Sequence, residues 1–227
     1  MSENKKIRLV QRVEFIKNIC HGKKVLHLGC TSYPYTNEML ELGEHLHLHL
    51  MDSAQELYGL DFDQDGIDIL NAEGIENIVR GDLEKLEEVE LNEKFDVIIA
   101  GEMIEHLNNP GLFLNGVKRF MNPDSVLVIT TINAYGGLRF AVYTLIGKGG
   151  TNEAVHPDHV AYYSYSTLNL LLKRHKLDVR EFLFYDLGEE HRKNGKWYFN
   201  FINDLSVKFT PQLADGLIAV CSLEKES

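Results

Sequence analysis

The chain has 227 residues, 44% hydrophobic and 25% charged, which is the composition of a folded domain and excludes a disordered segment. Its 34 acidic and 23 basic side chains leave a formal net charge of -11, which repels phosphate backbones and disfavours nucleic acid as a partner. Cys20, Cys30 and Cys221 are scattered, form no C-x-x-C pair and point to a reducing, cytoplasmic setting, and no run approaches the roughly 18 apolar residues of a membrane span.

Ile7, Val10, Val13, Ile16 and Ile19 recur at helical spacing and predict an amphipathic helix over residues 5–20, stopped by Gly22. Its apolar face suits either covering a pocket or pairing in a homodimer. KKVLHLGC then predicts a short buried strand closing at Gly29. The stretch TSYPYTNEMLELGEHLHLHLMDSAQ begins as a loop and continues as a helix. ELYGLD predicts a second strand ending in Asp61, DQDGIDILNAEG a helix stopped by Gly74, NIVRGD a third strand and FDVIIAG a fourth. Asn109 and Pro110 have the character of the cap and first position of a helix reaching Phe120. SVLVITT is a β-branched fifth strand. Residues 132–165 are irregular and rich in Gly and Tyr. Ser166 is the expected cap of the helix TLNLLLKRH, followed by the strand LDVREFLFY, the helix WYFNFINDL and the strand GLIAVCSLE. Short strands, several apolar on both faces, alternate with helices. That pattern predicts an α/β fold: one domain over residues 1–227 with a doubly wound, mostly parallel seven-stranded sheet and helices on both faces.

Ligands of open parallel sheets bind beyond the carboxyl ends of the strands, so the residues that close each strand are the first site candidates. Gly29 leaves room for backbone to approach a ligand, or serves a turn. Asp61 has the position of a carboxylate that accepts both hydroxyl protons of a ribose, or of a helix cap. Asp82 offers an acceptor for an adenine amino group, or closes a turn. Gly101, Glu102, Glu105 and His106 end the fourth strand.

In order, VLHLGC, YGLDFD, VRGDLEKL, FDVIIAGEMIEHL and SVLVITT resemble the motifs of class I S-adenosylmethionine-dependent methyltransferases, specifically the small-molecule group with E-H-L after the fourth strand. HPDHVAYYSYSTLNLLLKRHKLDV is similar to that group's segment before the sixth strand. The resemblance covers roughly residues 20–185 and implies a Rossmann-like methyltransferase fold with S-adenosylmethionine as cofactor. It implies Gly29 in the cofactor loop, Asp61 on the ribose, Phe62 against the adenine, Asp82 on the adenine amino group with Leu83 donating its backbone N–H, and Glu102 beside the sulfonium end. The family's acidic-x-G-x-G-x-G loop reads here His27-Leu28-Gly29-Cys30-Thr31-Ser32-Tyr33, with His27 for the acidic residue and Thr31 and Tyr33 for two glycines.

Methyl transfer to oxygen needs a base for the acceptor, and imidazole titrates in the right range. His106, just past the fourth strand, is the first candidate, with Glu105 and His159 as further catalytic candidates. His156 and His159 lie in residues 132–165, the expected lid or acceptor-binding insertion, where Tyr162, Tyr163 and Tyr165 either line a pocket or pack the lid. Glu102, Glu105 and His106 with His156 or His159 also resemble the E-x-x-E-H…H metal set of small-RNA 2′-O-methyltransferases and ubiquinone-pathway O-methyltransferases. A divalent metal there is an alternative that the sequence does not favour over a loop-ordering role, and no metal is assigned. In EHLHLHL a helix would place His45 and His49 on one face and His47 on another, supporting at most two ligands, so a packing helix beside the cofactor loop is preferred. The expected function is transfer of a methyl group to an oxygen of a small polar acceptor, a sugar or secondary metabolite. The alternatives are an inactive methyltransferase-like partner subunit and, against the missing G-x-G-x-x-G, a nucleotide-binding oxidoreductase.

Overall fold

The computed structural model describes residues 7–145, 147, 158–186, 192 and 196–225. In chain order its elements are β1 (Leu9–Val10), α1 (Arg12–Cys20), β2 (Lys24–Leu28), α2 (Thr36–Leu42), α3 (Leu46–Met51), β3 (Glu56–Asp61), α4 (Gln64–Ala72), β4 (Ile78–Arg80) and β5 (Phe95–Gly101). They continue with α5 (Pro110–Gly116), β6 (Met121–Ile132), α6 (Gly137–Leu145), α7 (Tyr165–Arg174), β7 (Leu177–Tyr185), α8 (Trp197–Phe209) and β8 (Gly216–Leu223). All eight strands form one sheet in the order β1-β7-β8-β6-β5-β2-β3-β4. Only β8 runs antiparallel to its neighbours, β6 and β7. The order reverses on either side of β2, between β5 and β3, which is where an open α/β sheet leaves a crevice at its carboxyl edge.

The period of two along each strand sorts side chains into two cores. On β5, Val97 and Ile99 pack with Ile16 and Cys20 of α1 and Leu46 and Leu50 of α3. Ile98 and Ala100 point the other way, to Phe113 and Leu114 of α5 and Leu168 and Leu172 of α7. Both faces are covered, which is why these strands read as unbroken apolar runs.

Several sequence expectations change. The sheet has eight strands instead of seven, because Leu9 and Val10 pair in parallel with Phe184 and Tyr185 at the sheet's edge. The first helix therefore begins at Arg12, not residue 5; edge pairing overrides the helical spacing of Ile7 and Val10. The stretch after the first strand is two helices, α2 and α3, parted at Gly43, which takes the left-handed conformation (φ 69°) that ends α2. Pro110 does open α5, but Asn109 makes no side-chain cap bond, and the helix tightens after Gly116 into a one-turn segment, Val117–Phe120. Ser164, not Ser166, caps α7: it accepts from Thr167 N while its own N–H donates to the Thr167 hydroxyl. Within residues 132–165, expected to be irregular, α6 forms. The Gly136-Gly137 pair that disguised it is a contact device, since a Cβ on Gly137 would fall 2.4 Å from Ser206 Cβ of α8.

Candidate active site

Gly29 follows β2 with φ 71°, in the left-handed region open to glycine, and a Cβ there would press on Met103 at 3.2 Å. Two further residues stand where glycine was expected in this loop, Thr31 and Tyr33, yet the other positive φ falls between them, on Ser32 (62°). The loop thus turns without the missing glycines. Asp61 ends β3, is 4% exposed, and holds the loop directly: one carboxylate oxygen accepts from Thr31 N at 2.9 Å and the other from Asp63 N at 3.1 Å. A carboxylate has about four acceptor positions, so roughly two remain for a ligand. Asp63, not Asp61, caps α4, accepting from Gly66 N. Phe62 is exposed and meets the equally exposed Tyr33 edge to face at 5.8 Å. Asp82 is exposed and closes a turn by accepting from Glu84 N at 2.8 Å, with Lys85 beside it at 3.8 Å. Leu83 is buried behind it. A cavity of about 410 Å³ opens here, with Arg80, Gly81, Asp82 and Glu88 in its walls.

At the end of β5, Glu102 takes a left-handed φ of 51°. That turns its carboxylate toward Tyr185, whose buried hydroxyl donates to it, and toward Arg12 at 3.7 Å. Arg12 Nε donates to the Thr130 hydroxyl at 3.1 Å, and its guanidinium lies 5.9 Å from the centre of the Tyr185 ring. Burial and the adjacent Glu102 raise the Tyr185 hydroxyl well above its usual pKa. Arg12 and Tyr185 were not singled out in the sequence. Only the β1–β7 pairing, two residues long, brings Arg12 over the sheet's carboxyl edge.

The sequence candidates Glu105, His106 and His159 do come together. One ligand atom from each lies within 4.8 Å of the others, and the two imidazoles meet at 4.6 Å. Glu105 and His106 share the one-turn helix Ile104–His106 that follows β5. His159 arrives because Val160 N and Ala161 N both donate to the Glu105 carbonyl, at 2.9 and 3.2 Å. Glu105 is fully buried. Its Oε2 accepts from the Thr131 hydroxyl at 2.9 Å, while its Oε1 has no hydrogen-bond partner. Burial, with the Glu102 charge second, pushes this carboxyl up to about 7. One carboxylate oxygen and two imidazole nitrogens are donors that suit a divalent transition-metal ion, and the orphaned Oε1 leaves a place for one. The expected fourth member, Glu102, is not in the group, its carboxylate being engaged by Tyr185 and Arg12. His156 lies outside the described residues. Tyr163 is buried and paired by a β-bridge with Asn133, a packing role, whereas Tyr162 is half-buried against His159 at 6.2 Å.

The period of two also assigns His27. It shares the face of Val25 and therefore looks at α3, where its Nδ1 meets His47 Nδ1 at 3.1 Å with the rings stacked at 5.4 Å. His45 Nε2 lies 3.2 Å from the Thr31 carbonyl. His27, His45 and His47 are all buried, and desolvation lowers the pKa of each, that of His47 to about 3. The packing helix preferred from the sequence is there, as α3 beside the loop after β2, but His45 precedes it in extended conformation and is buried together with His47 while His49 is half-buried, so the expected shared face of His45 and His49 does not form.

A methyltransferase-domain family matches residues 4–181 of the chain. The ubiquinone biosynthesis O-methyltransferase of Haemophilus ducreyi is 30% identical over 120 residues, 49% of this chain and 46% of that protein. The protein of that name from Bradyrhizobium diazoefficiens is 25% identical over 157 residues, 64% of this chain and 58% of its own length. The chain spans about half the length of the curated relatives it matches. In fold it is similar to a SAM-dependent methyltransferase from Archaeoglobus fulgidus, with TM-score 0.58 and 21% identity over 92% of this chain and 94% of that one. No helix among the described residues is long and apolar enough to cross a membrane.

Proposed function

The chain belongs to the methyltransferase-domain family of S-adenosylmethionine-dependent enzymes, and from that premise we propose that it methylates an oxygen of a small polar acceptor, a sugar or secondary metabolite. The observation that carries this reading is the convergence of Glu105, His106 and His159 beside Glu102 at the carboxyl edge of the sheet. When bound, the cofactor supplies an electrophilic methyl on a sulfonium. Gly29 would let backbone approach it, the free acceptor positions of Asp61 would take ribose hydroxyl protons, and Phe62 would lie against the adenine. Asp82 and the Leu83 N–H would meet the adenine edge. Glu102 would flank the methionine end, with Arg12 offering its guanidinium there. His106 would take the acceptor hydroxyl proton as the new bond forms, with the His159 ring packed edge-on against it and the Glu105 carboxyl nearby. The names of the curated relatives support oxygen as the acceptor atom.

A second reading has one observation in its favour. Glu105, whose Oε1 has no hydrogen-bond partner, offers a carboxylate oxygen within 4.8 Å of ligand atoms of His106 and His159, so the three groups would hold a divalent cation that lowers the pKa of a bound acceptor hydroxyl. Chelation by EDTA followed by added Mn²⁺, Mg²⁺ or Zn²⁺ separates the two: loss and recovery of turnover supports the cation, and indifference supports the imidazole base.

The primary test is calorimetry with S-adenosylmethionine and S-adenosylhomocysteine on the native chain and on Asp61→Ala. Micromolar binding that weakens roughly tenfold or more in the variant is expected. No binding by the native chain would leave the inactive partner-subunit reading in its place.

A further inference from the structure

Arg139, on α6, points its guanidinium over the ring of Tyr162 at 4.7 Å. Its Nε is buried without a hydrogen-bond partner, and among the described residues no carboxylate forms an ion pair with it. A desolvated arginine donor left unmatched costs stability and is retained where something else completes it. Tyr162 meets His159 at 6.2 Å, and His159 meets His106 at 4.6 Å. The rings thus form a row from the Arg139 guanidinium through Tyr162 and His159 to His106, which shares its group with Glu105. The chain's net charge is -11, so an anionic acceptor gains from a cation placed to receive it. The guanidinium fork matches a carboxylate or phosphate in two hydrogen bonds, and its stacking on Tyr162 holds it in plane.

We propose that Arg139, supported by Tyr162, is the subsite for an anionic carboxylate or phosphate group on the acceptor. The acceptor hydroxyl would be presented to Glu105, His106 and His159 at the other end of this row of rings. The subsite rests on the methyl-transfer reading and selects its substrate class: small hydroxylated acids or phosphates in preference to neutral hydroxylated molecules.

The test is calorimetry on the full chain with S-adenosylhomocysteine present, using matched probes: catechol against 3,4-dihydroxybenzoate, and glucose against glucuronate and glucose 6-phosphate. In the native chain at least one anionic probe binds roughly tenfold or more tightly than its neutral counterpart. Which anionic probe does so distinguishes carboxylate from phosphate. In Arg139→Ala that ratio falls to about one. Arg139→Lys keeps the charge without the fork and recovers part of it. Equal binding of neutral and anionic probes, failure of every anionic probe to bind, or a preference that survives Arg139→Ala overturns the subsite. S-adenosylhomocysteine binding by each variant reports an intact fold. If the native chain fails to bind it, the methyl-transfer reading falls, and the same titrations without it still decide the subsite.

Discussion

Lowering the pH from about 7.5 to about 5 is expected to destabilise the fold through the buried histidines, and His47 sets the scale. Its Nδ1 lies 3.1 Å from that of His27, a distance at which one nitrogen must donate and the other accept, so the two rings cannot both be cationic there. Desolvation, with the neighbouring His45 second, lowers His47 from 6.5 to about 3. A histidine with a depressed native pKa contributes its stability fully above the unfolded value of 6.5 and loses it as pH falls from there toward about 3. At pH 5 the deficit is about 1.5 pH units multiplied by 1.36 kcal/mol, or about 2 kcal/mol for this one residue. His27 and His45 shift in the same direction and steepen the loss. For a urea m-value of about 2 kcal/mol/M, His47 alone moves the unfolding midpoint by about 1 M. The control is His47→Leu, because exposed groups titrate alike in both proteins. Its midpoint should be lower than native at pH 7.5, where His27 loses a partner, yet fall less between the two pH values. If native chain and variant lose the same stability on acidification, the buried pair is not the origin of the effect and the reasoning fails.

Three further perturbations follow from the geometry. Gly216→Ala would place a Cβ 1.8 Å from Tyr185 Cζ, forcing the ring off Glu102; a loss of about 1–3 kcal/mol is expected, lowering Tm by about 2–4 °C per kcal/mol, and an unchanged melt would show that Tyr185 has room to move. Ser164→Ala should cost about 1 kcal/mol by removing the hydroxyl that accepts from Thr167 N at the start of α7, while Ser166→Ala stays within about 0.5 kcal/mol; thermal melts of the pair decide which serine is the cap. Glu105→Gln removes the carboxylate of the three-residue group and should lower methyl transfer by about 10²-fold, with S-adenosylhomocysteine affinity nearly unchanged. Turnover close to native would take Glu105 out of the reaction.

The order of strands and helices, the carboxyl-edge positions of Gly29, Asp61, Asp82 and Glu102, and the family likeness were legible because each rests on local chemistry. Buried parallel strands read as apolar runs, and a glycine or an acidic residue closing such a run marks the edge where ligands collect. The pairing of Glu105 with His106 was legible for the same reason, both lying on one short turn after β5. The failures were also local. Ser164 and Ser166 are equally good caps on paper, and only the partner at Thr167 distinguishes them. Gly136-Gly137 reads as a loop until Ser206 is seen against it.

Tertiary structure alone decided what stands opposite what. Arg12 reaches Glu102 and Tyr185 next to a two-residue edge strand, Leu9 and Val10, that pairs with Phe184 and Tyr185 of β7 from the other end of the chain and leaves no periodic trace. His159 reaches Glu105 through two backbone hydrogen bonds to a carbonyl, which no side-chain pattern announces. His27 faces His47 because the sheet's pleat turns it toward α3. The sequence by itself determined the class of fold and the strand-end positions of the cofactor candidates, since backbone period and strand-end chemistry are written residue by residue. The proposed acceptor subsite, Arg139 with Tyr162, joins segments whose meeting depends on tertiary packing.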